Sequence, residues 1–227
     1  RMVLNSMDCK QRSVQHRMRP EIACLTKRIY DHDILDSAGV QEYPQIRGMQ
    51  QNLYFIDHTE PESFHEGLQS YSNSHEARFA VALCKYLLQQ GYEGSQITIL
   101  TMYTGQLLEI KEKMPSATFE GVRLSAVDNF QGEENDLVIL SLVRSNNKDS
   151  VGFLKESNRI CVSLSRARMA LFVIGNFSLL CSQSLLWKDI CKDLKNERKL
   201  GNAMHLVCAK HKCVTDVETD RDFEKVP

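Results

Sequence analysis

The sequence lacks several features that would place a protein in a class at once. Its 227 residues include one Trp and five Pro, with no glycine-rich or proline-rich tract, which excludes collagen-like and low-complexity chains. No run of 18 apolar residues occurs, so the sequence predicts no membrane-spanning helix. Basic and acidic side chains number 28 and 29, a formal net charge of −1. Any nucleic-acid binding must therefore come from a local patch rather than from the overall charge.

Cysteine is plentiful, but the spacing of the cysteines forms no disulfide framework. Most of the eight lie within apolar stretches, where a free thiol behaves as a small hydrophobic side chain. A chain of this length does not need disulfides to fold, so we expect a reducing compartment. The sequence begins close to a motif and without a targeting signal, and we expect it to be a piece of a longer protein.

The hydrophobic pattern predicts strands and helices in alternation. Apolar residues spaced three and four apart favour helices, and short runs that are apolar almost throughout favour strands buried on both faces. The predicted helices are 20–30, 74–90, one ending near 114, 157–167 and 183–198, and the predicted strands are 53–56, 97–100, 122–127, 137–143 and 171–175. This order is typical of a doubly wound α/β domain over residues 1–200. Charge rises over 201–227, which we interpret as a tail.

Three polar clusters interrupt this pattern, at residues 15–20, 125–136 and 163–168. Because open α/β sheets bind ligands at the carboxyl ends of their strands, we expect the clusters near that edge. Each cluster alone also has an ordinary explanation. Two arginines two apart on a helix are commonly a solvated face, a Gln-Gly-Glu-Glu run is commonly a turn, and a lone His16 commonly lies at the surface.

Two signatures of nucleotide binding are missing. No segment matches G-x-x-x-x-G-K-[ST], and no G-x-G-x-x-G follows a strand. A doubly wound domain without its own phosphate loop cannot hold a nucleoside triphosphate alone in the usual way. The absence also counts against an unrelated, self-sufficient nucleotide-binding protein.

Together, the clusters resemble the second motor domain of superfamily 1B helicases, in the nonsense-mediated-decay, senataxin and aquarius-like group. Four motifs match in register: Q-[YH]-R-M-x-P at 15–20, T-P-Y-x-x-Q at 101–106, V-D-x-F-Q-G-x-E-x-D at 127–136 and L-[ST]-R-A-[RK] at 164–168. The resemblance spans about residues 12–176. It implies a RecA-like domain of the P-loop NTPase class, which would be the C-terminal half of an ATP-dependent RNA or RNA/DNA helicase motor.

Within this group, the chain is most similar to helicases whose motor is followed by NFX-type zinc fingers. Cys208, His211 and Cys213 carry the donor atoms that zinc prefers. Three candidate ligands within six residues do not complete a site, and stray tail residues are the alternative explanation. We therefore predict no metal site in this chain and expect zinc only in a downstream region.

The resemblance implies roles in ATP binding for the residues that match the family motifs. ATP and Mg²⁺ would be held mainly by a first RecA-like domain of the same chain. Arg17 and Arg166 match arginines that reach the γ-phosphate, where a guanidinium stabilises charge on the phosphoryl oxygens. Glu134 matches a residue near the ribose, and Gln131 and Gly132 match the loop that couples nucleotide to nucleic acid. The residue beside adenine, an aromatic in the family, is His16.

The resemblance also implies contacts with a single strand of RNA or DNA. Thr101, Gln106 and Ser125 match positions that contact the strand backbone, and such contacts do not read bases. Met102 stands where the family has Pro, so the loop after that strand lacks the restraint that Pro would impose.

Two hypotheses from different classes remain. The chain is either half of a helicase motor or a degenerate helicase domain that binds nucleic acid or protein. The intact Arg17, Glu134 and Arg166 favour the motor, because a scaffold has no need of an arginine finger. Alone, the chain is expected to hydrolyse no ATP. The zinc-finger subgroup suggests RNA surveillance or innate immunity in the cytoplasm, with the nucleus as the alternative.

Overall fold

The fold is taken from a computed structural model that describes residues 13–27, 29, 34–208, 211 and 213–226. Its strands are β1 (Val14–Gln15), β2 (Leu35–Asp36), β3 (Leu53–Asp57), β4 (Ser63–His65), β5 (Ser70–Ser72), β6 (Ile97–Thr101), β7 (Arg123–Ala126), β8 (Asn135–Ser141), β9 (Ala167–Gly175), β10 (Leu200–Gly201), β11 (Met204–Val207) and β12 (Val214–Val217). Its α-helices are α1 (Pro20–Lys27), α2 (Ala38–Gln41), α3 (Ser74–Gln89), α4 (Thr104–Glu112), α5 (Ser157–Leu164), α6 (Phe177–Gln183) and α7 (Leu185–Asn196).

A six-stranded parallel sheet organises the domain. Its strand order is β10-β3-β9-β8-β6-β7, and every neighbouring pair runs in the same direction. The long strands are buried along most of their length, as the apolar runs in the sequence predict. The predicted doubly wound, RecA-like α/β fold is confirmed.

Alternate residues of each strand supply two separate cores. In β3, Phe55 packs on the face covered by α1, α5, α6 and α7, whereas Tyr54 and Ile56 pack on the face covered by α3 and α4. This follows from the two-residue period of a strand, which sends neighbouring side chains to opposite faces. Helices on both faces exclude water from the sheet, so its polar chemistry is confined to the strand ends.

Helix α3 illustrates how local sequence sets an element's start. The side chain of Asn73 accepts a hydrogen bond from the amide of Glu76 at 3.2 Å and caps the helix. Phe79, Leu83 and Leu87 follow at four-residue steps and are fully buried. The predicted helix over 74–90 therefore agrees with the structure to within one residue.

The predicted helix over 157–167 is wrong at its end. Helix α5 stops at Leu164, and Ala167 already pairs with Asn135 as the first residue of β9. Pairing with β8 on one side and β3 on the other makes this segment a central strand, and that tertiary pairing overrides local helical preference. Arg166 therefore lies in the connection and Arg168 in a strand. The predicted end of the first helix, at residue 30, lies outside the described residues.

The residues beyond 200 pack against the domain. Strand β10 extends the sheet, and β11 and β12 form an antiparallel hairpin whose Met204, Leu206 and Val217 are buried in the core beneath α3. The division into 1–200 and 201–227 stays a prediction. The predicted loop between 57 and 72 contains a second hairpin, β4–β5. Within the described part of the chain, no helix is long and apolar enough to cross a membrane.

Candidate functional site

The predicted site residues separate between the two edges of the sheet. Asn135 and Ala167, the first residues of β8 and β9, are paired and mark the amino edge. Thr101 and Ala126, the last residues of β6 and β7, are paired and mark the carboxyl edge. The expectation that all three polar clusters lie near the carboxyl edge is therefore wrong, because residues 133–136 and 165–168 lie at the amino edge.

At the amino edge, four residues from distant parts of the chain meet in what we call the arginine cluster: Arg17, Glu134, Ser165 and Arg166. The Nε of Arg17 forms an ion pair with the Glu134 carboxylate, and its Nη1 donates to the carbonyl of Ser165 at 3.1 Å. Both side chains of this ion pair are partly exposed, at 31% for Arg17 and 40% for Glu134. An exposed pair of this kind is worth at most about 1 kcal/mol, so it can exchange partners readily.

Gln15 determines where Arg17 and its neighbour His16 lie. The Gln15 side chain accepts hydrogen bonds from the amides of Arg17 and Met18, and its Nε2 donates to Asp36 in β2 at 2.8 Å. These bonds fix the turn between β1 and α1, so that His16 is exposed and Arg17 points toward Glu134. The glutamine of the first motif therefore has an architectural role in this structure.

Arg166 is held more firmly than Arg17. Its Nε donates to the carbonyl of Val162 at 2.8 Å, its Nη1 to the carbonyl of Glu133 at 3.1 Å and its Nη2 to the Ser165 hydroxyl at 2.8 Å. The side chain is largely buried, at 9% exposed. Because these contacts fix the guanidinium before any ligand arrives, little rotamer freedom remains to be lost on binding.

A pocket of about 440 Å³ unites these side chains. It is lined by His16, Arg17, Glu134, Ser165 and Arg166, together with residues of β1 and α1. Two guanidinium groups at one pocket suit an anion such as a phosphate, so the residues present fit the nucleotide that the sequence implies. Gln131 and Gly132 are exposed and do not line the pocket. Gly132 adopts φ +82°, which an L-residue rarely tolerates.

Arg168 contacts this cluster. If the predicted helix continued through residue 168, Arg168 would point about 200° away from Arg166 and would be structural or solvated, but the residue lies in β9. Its Nη1 is 3.1 Å from Asp136 and its Nε 3.8 Å from Glu134, and the guanidinium lies 5.9 Å from the centre of the Tyr43 ring. Hydrogen bonding to Tyr43, together with the nearby carboxylates, raises the pKa of Arg168.

The three residues predicted to contact a single strand of RNA or DNA lie toward the carboxyl edge of the sheet and are buried. Thr101 and Gln106 are fully buried, and Ser125 is nearly so. The Oε1 of Gln106 accepts from the amide of Asn73 at 2.7 Å, and its Nε2 donates to the Ser141 hydroxyl at 2.9 Å. A contact between Gln106 and a nucleic-acid strand stays a prediction. For it to form, the hydrogen bonds of Gln106 to Asn73 and Ser141 would have to break.

Sequence reasoning overlooked two features. The first is Tyr43, whose hydroxyl donates to the carbonyl of Arg17 at 3.1 Å from an irregular segment. The second is Arg144, which is buried and forms an ion pair with Glu62. Arg144 follows the buried strand β8, so its position at a strand end was a usable signal. Glu62 and Tyr43 lie in loops, where no periodicity distinguishes them.

The candidate metal ligands contact one another only in part. The Cys208 thiol lies 3.4 Å from Nδ1 of His211, and the Cys208 amide donates to the carbonyl of Cys213 at 3.0 Å. Among residues 13–27, 29, 34–208, 211 and 213–226, no three His, Cys, Asp or Glu side chains are grouped to hold a metal ion. That this chain holds no metal site, with zinc only in a downstream region, stays a prediction.

Comparisons with known proteins agree with this architecture. The sequence profile of a family described as "AAA domain" matches residues 1–178. NFX1-type zinc finger-containing protein 1 of Mus musculus is 48% identical over 215 residues, which cover 94% of this chain and 11% of that protein. The Schizosaccharomyces pombe "Helicase required for RNAi-mediated heterochromatin assembly 1" is 37% identical over 212 residues, covering 91% of this chain and 21% of that one.

A solved structure, the helicase of PRRSV, covers 76% of this chain and 25% of its own, with 17% identity and a TM-score of 0.36. The fold and the matched profile define a RecA-like domain of the helicase type. The chain belongs to the AAA-domain family and, within it, to the superfamily 1B helicases of the NFX1-type subgroup. It spans about a tenth of the length of its NFX1-type relatives.

Proposed function

We propose that this chain is the C-terminal half of an ATP-dependent RNA or RNA/DNA helicase motor. In this proposal it supplies arginines to ATP and Mg²⁺ held mainly by a first RecA-like domain of the same protein. The observation that supports it most is the joint contact of residues 133–136 with Arg17 and Arg166 at one pocket. Three motifs far apart in sequence thereby converge on a site suited to phosphate.

ATP, when bound, supplies the γ-phosphoryl group whose transfer to water drives the motor. Arg166, already fixed by three hydrogen bonds, would present its guanidinium to the charge that develops on the phosphoryl oxygens. Arg17 would exchange its partly exposed contact with Glu134 for the nucleotide. Glu134, once released, would accept a hydrogen bond from the ribose.

The carboxyl edge would form half of the single-strand groove in this proposal. Strand β8 runs from Asn135 beside the arginine cluster to Ser141, which bonds to Gln106. A change at the amino edge can therefore reach the carboxyl edge through one rigid strand. This path links nucleotide to nucleic acid without any contact between the two ligands.

The test is ATP hydrolysis by two proteins, measured as phosphate release with single-stranded RNA present. The chain alone is expected to show no turnover above a blank without protein. A longer protein that includes the preceding RecA-like domain is expected to hydrolyse ATP and to be stimulated by the strand. Turnover by the chain alone would contradict the proposal, because it would make the chain a self-sufficient nucleotide-hydrolysing domain. No turnover by the longer protein would also contradict it and would favour a binding module instead.

A further inference from the structure

Four aromatic rings form a continuous row at the carboxyl edge, which we call the aromatic face: Phe64, Tyr71, Tyr103 and Phe153. The two end rings are exposed, Tyr71 is partly buried and Tyr103 is buried. The ring centres of Phe64 and Tyr71 are 5.0 Å apart, those of Tyr71 and Tyr103 5.8 Å, and those of Tyr103 and Phe153 5.7 Å. The rings come from the β4–β5 hairpin, the segment after β6 and the segment before α5. Distant parts of the chain thus build one row of rings.

A buried cation supports the middle of this row. Arg144 is 4% exposed, and its guanidinium lies 4.1 Å from the centre of the Tyr71 ring. Its Nε donates to both carboxylate oxygens of Glu62, at 3.1 and 3.0 Å. Burial lowers the pKa of Arg144, but its hydrogen bonds to Glu62 and Tyr103 outweigh that effect, so the pKa is raised. The guanidinium stays charged and holds the central rings in place.

The hairpin is also fixed against α4. The amide of Gly105 donates to the Ser70 hydroxyl at 3.0 Å, and a Cβ at Gly105 would lie 2.8 Å from the carbonyl oxygen of Tyr71. Only glycine permits this approach of the two backbones. Phe64 therefore stands on a rigid support rather than on a loose loop.

The two ends of the row are open to solvent. Phe64 is 48% exposed and Phe153 is 44% exposed, although Phe is ordinarily among the residues most often buried. A pocket of about 440 Å³ is lined by Tyr71, Tyr103 and Phe153, among others, and a second pocket of about 340 Å³ is lined by Phe64 and Tyr71. Exposed rings beside a pocket are typical of a binding surface.

We propose that the aromatic face is a base-stacking site for single-stranded nucleic acid, with Phe64 as the principal stacking ring. This inference rests on the proposed function and adds recognition of bases to the backbone contacts predicted there. A cation lies beside each exposed ring. Arg159 lies 4.2 Å from the centre of the Phe153 ring and also pairs with Asp128 and Glu156, and the exposed Lys148 lines the same pocket as Phe64. Separate ring faces, each with a cation beside it, suit bases joined by phosphates better than they suit an apolar peptide.

The test compares two strands of equal length, one of ordinary single-stranded RNA and one abasic throughout. Fluorescence anisotropy at low ionic strength gives the Kd of each for the whole chain. Each stacked base should strengthen binding by about five- to 150-fold, so the ordinary strand should bind more tightly. Phe64→Ala should weaken the ordinary strand by at least about fivefold and leave the abasic strand unchanged. Phe64→Tyr should retain the wild-type difference.

Leu185→Ala is the matched control, because Leu185 is an apolar side chain that is 79% exposed on α7. It should change neither Kd. Equal affinity of the wild-type chain for both strands would overturn the inference and reassign the face to an apolar protein partner. If Phe64→Ala weakens binding of the ordinary RNA and of the abasic strand by the same factor, the inference is also overturned. Binding to neither strand would contradict the proposed function itself, which separates the two failures.

Discussion

Each edge of the sheet carries an arginine–glutamate ion pair, and the two pairs differ in burial. At the amino edge, Arg17 and Glu134 are both partly exposed and form an ion pair that solvent screens. At the carboxyl edge, Arg144 and Glu62 are buried, at 5% and 8% side-chain exposure. One pair can therefore exchange partners at little cost, whereas the other cannot be broken without leaving a charge in the interior.

Because of this difference, we expect the arginine cluster to bind a ligand through its charges and the aromatic face to bind one through its ring surfaces. The arginine cluster presents guanidinium groups that can bind a phosphate, and the exposed contact of Arg17 with Glu134 can rearrange when a ligand binds, whereas Arg166 is already fixed. At the aromatic face, the Arg144 guanidinium is bonded to Glu62 inside the protein and is not available to a ligand. A ligand there would contact the row of fixed rings. Variants that remove one charge should therefore affect turnover at the amino edge and stability at the carboxyl edge.

The largest effect is expected from Arg166→Ala in a protein that contains both RecA-like domains. Strand-stimulated kcat should fall by about 10³-fold or more, the range for arginine fingers. Arg166→Lys should also fail, because an ammonium cannot reproduce the fork of donors. The Kd for ATP should change much less, since the guanidinium acts mainly on charge that develops in the transition state.

Steady-state hydrolysis and nucleotide titration measure kcat and Kd in the same preparations. Arg78→Ala is a suitable control, because Arg78 is an exposed arginine that pairs with Asp220 on the α3 side of the domain. A kcat for Arg166→Ala within a few-fold of wild type would remove the basis for calling this edge catalytic.

At the carboxyl edge, Glu62→Gln should destabilise the fold by about 3–5 kcal/mol, because it leaves the Arg144 guanidinium buried without its counter-charge. Urea unfolding gives the free energy directly. Asp220→Asn removes one partner of an exposed ion pair and should cost at most about 1 kcal/mol. Similar losses for the two variants would show that the two kinds of ion pair do not differ as burial predicts.

The main strands and helices could be predicted because each has a local signal. Helix α3 has apolar residues at four-residue steps, the buried strands β6 and β9 contain runs that are apolar almost throughout, and the four motifs in register identified the family. Burial and partners could not be predicted in the same way. Gln106 matches a position that contacts nucleic acid in the family, yet its side chain is hydrogen-bonded to Asn73 and Ser141. These two residues are distant in sequence and come close to Gln106 only in the folded chain.

The contacts of Arg168 could not be predicted from local sequence either. Its assignment depended on whether residues 165–168 continue α5 or begin β9, and strand pairing with β8 decides that question. The sequence predicts a loop where the structure has the β4–β5 hairpin, because three-residue strands are too short to show a period. Tertiary pairing, rather than local preference, determined each of these errors.

A smaller effect is expected from Arg168→Ala, again in the two-domain protein. Glu134 would keep Arg17 as a partner but lose the positioning contact from Arg168. KM for ATP should rise several-fold, whereas kcat should stay within a few-fold of wild type. Separate measurement of KM and kcat distinguishes this from a catalytic role. A collapse of kcat comparable to that of Arg166→Ala would mean that the two arginines had been assigned the wrong way round.

The smallest expected effect is a pH dependence at the start of α3, where Glu76 accepts a hydrogen bond from Ser141 at the carboxyl end of β8. Burial, and then the neighbouring His58, lower the pKa of His75 from its ordinary 6.5, although Glu76 partly opposes them. The ring centres of the two histidines are 4.9 Å apart. Because the folded state holds the proton less tightly than the unfolded state, stability contributed by this group is present above pH 6.5 and is lost as pH falls through the window below it.

We therefore expect the Tm of the chain to decline as the pH is lowered from 6.5, and the decline to be shallower in His75→Gln, which has no proton to gain. Each kcal/mol lost corresponds to about 2–4 °C in a domain of this size. His16→Gln is the matched control, because His16 is exposed and should leave the slope unchanged. Calorimetry across the acidic range gives the slopes. Parallel slopes for wild type and His75→Gln would show that this partly buried histidine does not set the acid sensitivity. An effect as large as that of Glu62→Gln would show that the first turn of α3 stabilises the fold as strongly as the Arg144–Glu62 pair does.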